Sequence, residues 1–240
     1  VKVGVPIADM NAGMFATYGI LTAYINKLRT MKGQYLEISL LEAAIAYTVW
    51  ESAGYFATGD IAEPLGSSHR NSAPYQALKT KDGHINVGAP NQSNWERFAD
   101  AIQRSDLIAR NDFKDNASRL VNRESLEAEL ELTLKTKNSS DWLEVLEKSG
   151  VPAGPILNIS EVWNDPQVEA RNMKVTLDHP TAGKITNIGL AAKLYGTPGR
   201  ITNPAPLLGE HTREILMDAG YSKENIEDLV ASGAAVTNDS

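Results

Sequence analysis

The chain has no cysteine among its 240 residues. Disulfides, thiolate nucleophiles and cysteine-ligated zinc or iron–sulfur centres are therefore excluded. Apolar runs of membrane-spanning length are also missing, as is a basic-then-apolar leader, so the expectation is a soluble, cytoplasmic protein with no membrane partner. Positive charge is scarce: a net charge of −7 argues against nucleic acid as a partner. The four histidines (His69, His84, His179, His211) stand apart with no metal-ligand spacing, and no metal site is expected. Neither phosphate-binding glycine loop occurs, and no G-x-S-x-G turn presents a serine nucleophile. The Asn-x-Ser sequons at Asn91, Asn116, Asn138 and Asn158 have no secretory signal to give them meaning.

What is present suffices for a large core, since 42% of the residues are hydrophobic. From Met10 to Leu28 the apolar residues recur so densely that a largely buried helix is expected, ended by Thr30-Met31-Lys32-Gly33 with the glycine supplying the turn. Lys32 and Gln34 serve that turn. Residues 34–40 alternate as a strand, and a second apolar helix spans 41–57. Helix, strand and helix with short connections suggest part of an α/β layered domain.

Residues 59–73 lack apolar periodicity and read as a functional loop or linker. Asp82-Gly83 then separates two β-type segments, 75–79 and 84–87, as a hairpin. Helices are expected over 91–102, from Asn122 and from Ser139, with their Glu and Lys residues on solvated faces. An extended stretch covers 151–157. Paired strands at 173–178 and 184–190 precede two closing helices near 208–219 and 222–232, the first begun beside His211. The opening Val-Lys-Val-Gly-Val-Pro passes straight into patterned sequence and reads as the interior of a longer polypeptide.

Asp9 is the one chemically suggestive residue. It directly precedes the first helix, where unsatisfied N–H groups and the helix dipole favour a carboxylate. On its own this is an N-cap; with the remaining motifs it becomes a candidate nucleophile.

Those motifs are Val5-Pro-Ile-Ala-Asp-Met-Asn-Ala-Gly13, Lys32-Gly-Gln34, Asn71-Ser-Ala-Pro-Tyr-Gln-Ala-Leu-Lys-Thr-Lys-Asp-Gly83, Val87-Gly-Ala89, Gly150-Val-Pro-Ala-Gly-Pro155, Asp165-Pro-Gln167, Asp178-His-Pro180 and Pro206-Leu-Leu-Gly-Glu-His-Thr212. Their order resembles that of the class III coenzyme A transferases, the family that includes formyl-CoA and carnitine-CoA transferases and the α-methylacyl-CoA racemases. The resemblance covers nearly the whole chain but only the C-terminal portion of a family member.

The resemblance implies an α/β fold: a partial Rossmann-like large domain from residues 1–65 and 151–240, with a small α+β domain at 66–150 inserted. It implies CoA transfer between carboxylic acids, short dicarboxylates among them, through an aspartyl-CoA thioester on Asp9. CoA and acyl-CoA would be substrates, and no cofactor would be permanently bound. Asn11 and Gly13 would lie near the nucleophile, while Ser72, Ala73 and Tyr75 would belong to a closing loop aligned with 66–75. That loop has Asn71-Ser72-Ala73-Pro74 where some members have consecutive glycines. Arg70 is a candidate for a distal substrate carboxylate, with a solvated loop arginine as the alternative. A homodimer or higher oligomer is implied, with CoA contacts residing mostly in the absent N-terminal portion.

Two alternatives stay open. A racemase of this family carries a glutamate near the position of Asn91, and an asparagine there moves no proton. The chain alone is otherwise an inactive structural or interaction module.

Overall fold

The computed structural model describes residues 3–238; the first two and last two residues of the outer expected segments lie outside them. The chain begins with α1 (Ile7–Thr30), followed by α2 (Leu40–Ile45) and α3 (Val49–Thr58). Strands β1 (Tyr75–Lys79) and β2 (His84–Gly88) lead into α4 (Gln92–Ala101), α5 (Asn116–Val121), α6 (Arg123–Leu134) and α7 (Ser139–Lys148). Then come β3 (Ala153–Pro155), α8 (Ile159–Trp163), α9 (Pro166–Ala170), β4 (Lys174–His179), β5 (Gly183–Ile188), α10 (Thr212–Asp218) and α11 (Lys223–Ala231). The class is mixed α and β, and the described strands form two antiparallel sheets, β1-β2-β3 and β4-β5.

Four expectations for the first 60 residues need correction. α1 is not largely buried: Asn11 is its single buried residue, and Met14, Tyr18, Leu21, Ile25 and Leu28 are exposed. The helix is apolar all round, yet only the stripe through Ala12, Phe15, Ala16, Gly19 and Ala23 is half-buried. At Gly19 the backbone approaches Leu36, where an added Cβ would lie 3.2 Å from its side chain. Met31, not Gly33, takes the left-handed turn (φ 60°), donating its N–H to the Lys27 carbonyl at 2.7 Å.

Residues 32–39 form no strand, because an alternating segment becomes a strand only when a second strand takes its N–H and C=O groups. The expected 41–57 helix is two helices. Ser39 caps the first by accepting from the Glu42 N–H at 3.1 Å. Thr48 separates them, its hydroxyl donating to the Ile45 carbonyl at 2.8 Å and competing with helix continuation.

The main hydrophobic cluster is drawn from residues between Ala73 and Val151. Leu78, Ile85 and Val87 face it from the sheet, Trp95 and Phe98 from α4, Leu126, Leu130 and Leu134 from α6, and Trp142 and Leu146 from α7. The i, i+4, i+8 leucines of α6 supply one continuous apolar stripe. The β1–β2 hairpin forms at Asp82-Gly83, with Lys79 paired to His84. Asp82 also reaches α7: its Oδ1 accepts from the Ser139 N–H at 2.8 Å and hydroxyl at 2.9 Å. The start of α7 is thus held by a hairpin carboxylate. The Ser139 backbone and then its hydroxyl keep the Asp82 carboxyl below the usual range.

A second electrostatic join ties α6 to the preceding connection. Glu129 accepts from Arg104 and from Arg110, each at 2.8 Å. Arg104 first, and then Arg110, holds the Glu129 carboxyl below its ordinary value of 4.5. A carboxylate depressed in the folded state stabilises above its unfolded value, and that share disappears as pH falls through the folded value. Glu129→Gln should therefore lower the urea midpoint at neutral pH, with the difference from the parent shrinking as pH falls below 4.5. A pH-independent difference would contradict this.

Candidate active site

Asp9 occupies the third position of α1, within its first turn, rather than the cap expected before it. The cap position is Pro6, which has no side chain able to bond the helix N–H groups. The first helical bond runs from the Met10 N–H to the Pro6 carbonyl at 3.0 Å. Asp9 is exposed, and among the described residues its carboxylate has no hydrogen bond or ion pair. It is a free carboxylate on an uncapped helix start, positioned by the backbone alone.

Gly13, one turn further on, shares the Asp9 face, and an added Cβ there would meet nothing within 4 Å. Asn11 falls on the other side of the helix, since residues two apart are rotated away from each other. It is 7% exposed, and its buried Nδ2 has no partner among the described residues. The structure therefore places Asp9 and Gly13 together and sets Asn11 apart.

The segment expected to close over the site is held in place at several points. Ala73 is fully buried in the core cluster, its N–H bonded to Asn116 Oδ1 (3.1 Å) and its carbonyl to Arg119 Nε (2.7 Å). Asn116 Nδ2 also donates to the Asn71 carbonyl at 2.9 Å, and Arg123 donates to that of His69 at 2.9 Å. Ser72 is half-buried. Tyr75 is partly exposed and stacks on His69 with centroids 5.0 Å apart, while Trp50 of α3 meets the same imidazole edge-on at 5.0 Å. Arg70 pairs with Glu51 at 2.6 Å and donates to the Glu63 carbonyl, so its charge is already engaged.

Sequence reasoning noted Asn116 only as a sequon and did not single out Arg119 or Arg123. Their i, i+3, i+7 spacing across α5 and α6 was the available signal, but cations on a helix read first as solvated. Asn91 has a structural job, its Oδ1 accepting from the Asn94 N–H at 2.8 Å to cap α4.

A cavity of about 700 Å³ lies between Pro64, Leu65 and Ser68 on one side and Arg123, Ser125 and Glu127 on the other; Asp9 does not line it. Among the described residues no group of three acidic or histidine side chains could hold a metal ion, and no helix is long and apolar enough to cross a membrane.

Asp9 is thus an unpaired aspartate at a helix start, and residues 69–75 are a tethered segment after a Gly/Ser-rich stretch. The family described as CoA-transferase family III matches residues 1–212, and the chain belongs to that family. Succinyl-CoA:glutarate CoA-transferase from Homo sapiens is 34% identical over 97% of the chain, which covers 53% of that relative. Succinyl-CoA:mesaconate CoA-transferase from Haloarcula hispanica is 33% identical over 91% of the chain and 55% of the relative. The crystal structure of a CAIB/BAIF family protein from Brucella suis superposes with a TM-score of 0.74 at 30% identity, covering 91% of this chain and 56% of that one. Rv3272 from Mycobacterium tuberculosis shares the fold at TM-score 0.75 and 23% identity. The chain spans about half the length of the curated relatives it matches.

The tethering generates a test. Asn116→Ala removes the partner of two backbone groups and should destabilise by about 1–3 kcal/mol. Hydrogen exchange should accelerate at Asn71–Ala73 more than at the β1–β2 hairpin. Uniform acceleration across both would show that Asn116 does not specifically hold this segment.

Proposed function

We propose that this chain carries the nucleophile of an enzyme that moves coenzyme A between carboxylic acids. The observation that carries the reading is Asp9, a free, exposed carboxylate in the first turn of α1 in a member of CoA-transferase family III. An Asp9 oxygen attacks the thioester carbonyl of an acyl-CoA, giving a mixed anhydride and CoA thiolate. The thiolate attacks the aspartyl carbonyl and expels the donor acid, leaving an aspartyl-CoA thioester. The acceptor carboxylate then attacks this thioester, and the released thiolate takes the new acyl group from the anhydride, regenerating Asp9. Covalent catalysis divides one difficult exchange into easier steps.

Uncapped N–H groups at the start of α1 support stabilisation of the oxyanions. Anhydrides hydrolyse, so the reaction needs water excluded from Asp9. In this reading the segment 66–75, with Ser72, Ala73 and Tyr75, forms one wall, and the covering surface comes from polypeptide outside the described residues. The many fixed contacts of that segment favour a preset wall over a wide-swinging lid. Gly13 keeps the face beside Asp9 open to the thioester. Asn11 sits on the other side of α1 and acts, in this reading, through the packing of the helix.

A dicarboxylyl-CoA donor is favoured because both transferases named above are described by succinyl-CoA. The division into 1–65, 66–150 and 151–240 is part of the same proposal, supported by a main core drawn from residues 73–151. So are cytoplasmic residence and self-association. The exposed Met14, Tyr18, Leu21, Tyr24 and Ile25 of α1 form a patch larger than scattered surface residues would give. Sedimentation should show dimers or larger species, and monomer alone would count against association.

The chemical test is direct. The chain incubated with succinyl-CoA and quenched with hydroxylamine should acquire a hydroxamate at Asp9, read by peptide mass spectrometry. Asp9→Ala should carry none. A folded preparation without modification at Asp9 would remove its assignment as nucleophile, and exchange of an α-proton with deuterium would favour the racemase reading instead.

A further inference from the structure

The C-terminal part of the chain contains a second cavity, remote in sequence from Asp9. It has a volume of about 520 Å³ and lies between the β4–β5 hairpin and the irregular segment that follows it. Val175 of β4 lines one side; Leu190, Leu194, Tyr195, Pro198 and Ile201 are the large apolar residues on the other. This volume is within the range of ordinary small-molecule sites, about 300–1,000 Å³.

Local backbone constraints shape the cavity. The Gly189 N–H donates to the Met173 carbonyl at 2.8 Å, and a Cβ on Gly189 would collide with the Asn172 carbonyl. A Cβ on Gly199 would lie 2.7 Å from Leu190 Cδ1. Two glycines therefore let the 189–201 segment close against the hairpin and return on itself. Asn172, itself in the left-handed region at φ 49°, lies at the foot of the same wall.

The charges are the informative part. Lys193 and Arg200 both line the cavity, and no acidic side chain does. Neither cation has a hydrogen bond or ion pair among the described residues. In a chain with net charge −7, two unpaired cations lining one largely apolar cavity have no compensating carboxylate of their own. We propose that this cavity binds an aliphatic carboxylate, its anionic head between Lys193 and Arg200 and its hydrocarbon body along Leu190, Leu194 and Ile201. A neutral alkyl ligand would leave the cations unused. A polyanion without a hydrocarbon body would leave the aliphatic wall wet. Arginine presents a fork that matches carboxylate geometry, and lysine adds a point charge. The inference is binding without chemistry, and it stands independently of Asp9.

Octanoate is the probe, titrated calorimetrically into the full chain below its micellar concentration, with octanamide as the neutral match. Octanoate should bind at one site per chain, more tightly than octanamide, and weaken as salt is added. K193A/R200A should lose about tenfold or more in affinity, as expected for removing charge-assisted contacts. Ala192→Trp, which fills the cavity without altering charge, should also abolish binding while the circular dichroism spectrum remains unchanged. The proposal is overturned if octanoate and octanamide bind alike, or if both variants bind octanoate as the parent does. Equal binding would show that the cations do not read the carboxylate, and unchanged variants would show that uptake lies outside this cavity.

Discussion

The Arg119 guanidinium ties the backbone at Ala73 to the middle of the main core. Arg119 is fully buried, with Nε on the Ala73 carbonyl at 2.7 Å, Nη1 on the Phe113 carbonyl and Gln92 Oε1 at 3.0 Å each, and its carbon Cζ 5.1 Å from the Trp95 ring centroid. Burial pushes its pKa below the ordinary arginine value, while nearby Asp115 and Glu96 oppose the shift. A buried charge is costly unless its hydrogen bonds are made, and here Nε and Nη1 make theirs while Nη2 has no partner among the described residues. The same bonds fix the backbone at Ala73, just before β1, and thereby the path of residues 69–75. Core packing and loop position are one problem here, shared by Arg119 with Asn116 and Arg123.

The opposite regime holds at α1. Its apolar residues surround the helix, but the chain covers only one stripe of it, and Asp9 stands at an end held by backbone bonds alone. A nucleophilic carboxylate benefits from this arrangement, because an ion pair or a capping bond would engage the lone pairs that must attack. The aliphatic and aromatic surface around it is left uncovered by contacts within the described residues.

Local signals were legible where the residues decide structure by themselves. Asp82-Gly83 between alternating segments specified the hairpin, and Asn91 opened α4 as its cap. The sequons found a structural explanation too: Asn91, Asn138 and Asn158 all occupy N-cap positions, and Asn116 begins α5. Signals failed where a partner decides. Residues 34–40 alternate like a strand but have none to pair with, and the apolar density of α1 measures a tendency to be covered rather than burial itself. At the site, Asp9 stood out because its motif carries the family resemblance. The residues that hold the loop did not, because Asn116, Arg119 and Arg123 become interpretable only when a fold brings them 43 to 54 positions back along the chain.

The central claim is that Asp9 exchanges an oxygen with the acceptor acid during CoA transfer. In the anhydride sequence, one acceptor oxygen bonds to the aspartyl carbonyl and stays there when the thiolate takes the acyl group. The decisive measurement supplies succinyl-CoA with glutarate labelled by oxygen-18 in both carboxylates, then weighs the peptide containing Asp9. The account predicts label in the Asp9 carboxylate, absent when succinyl-CoA is omitted. Labelled glutaryl-CoA formed with Asp9 unlabelled would contradict it, because the acid would then have received CoA without passing through this aspartate.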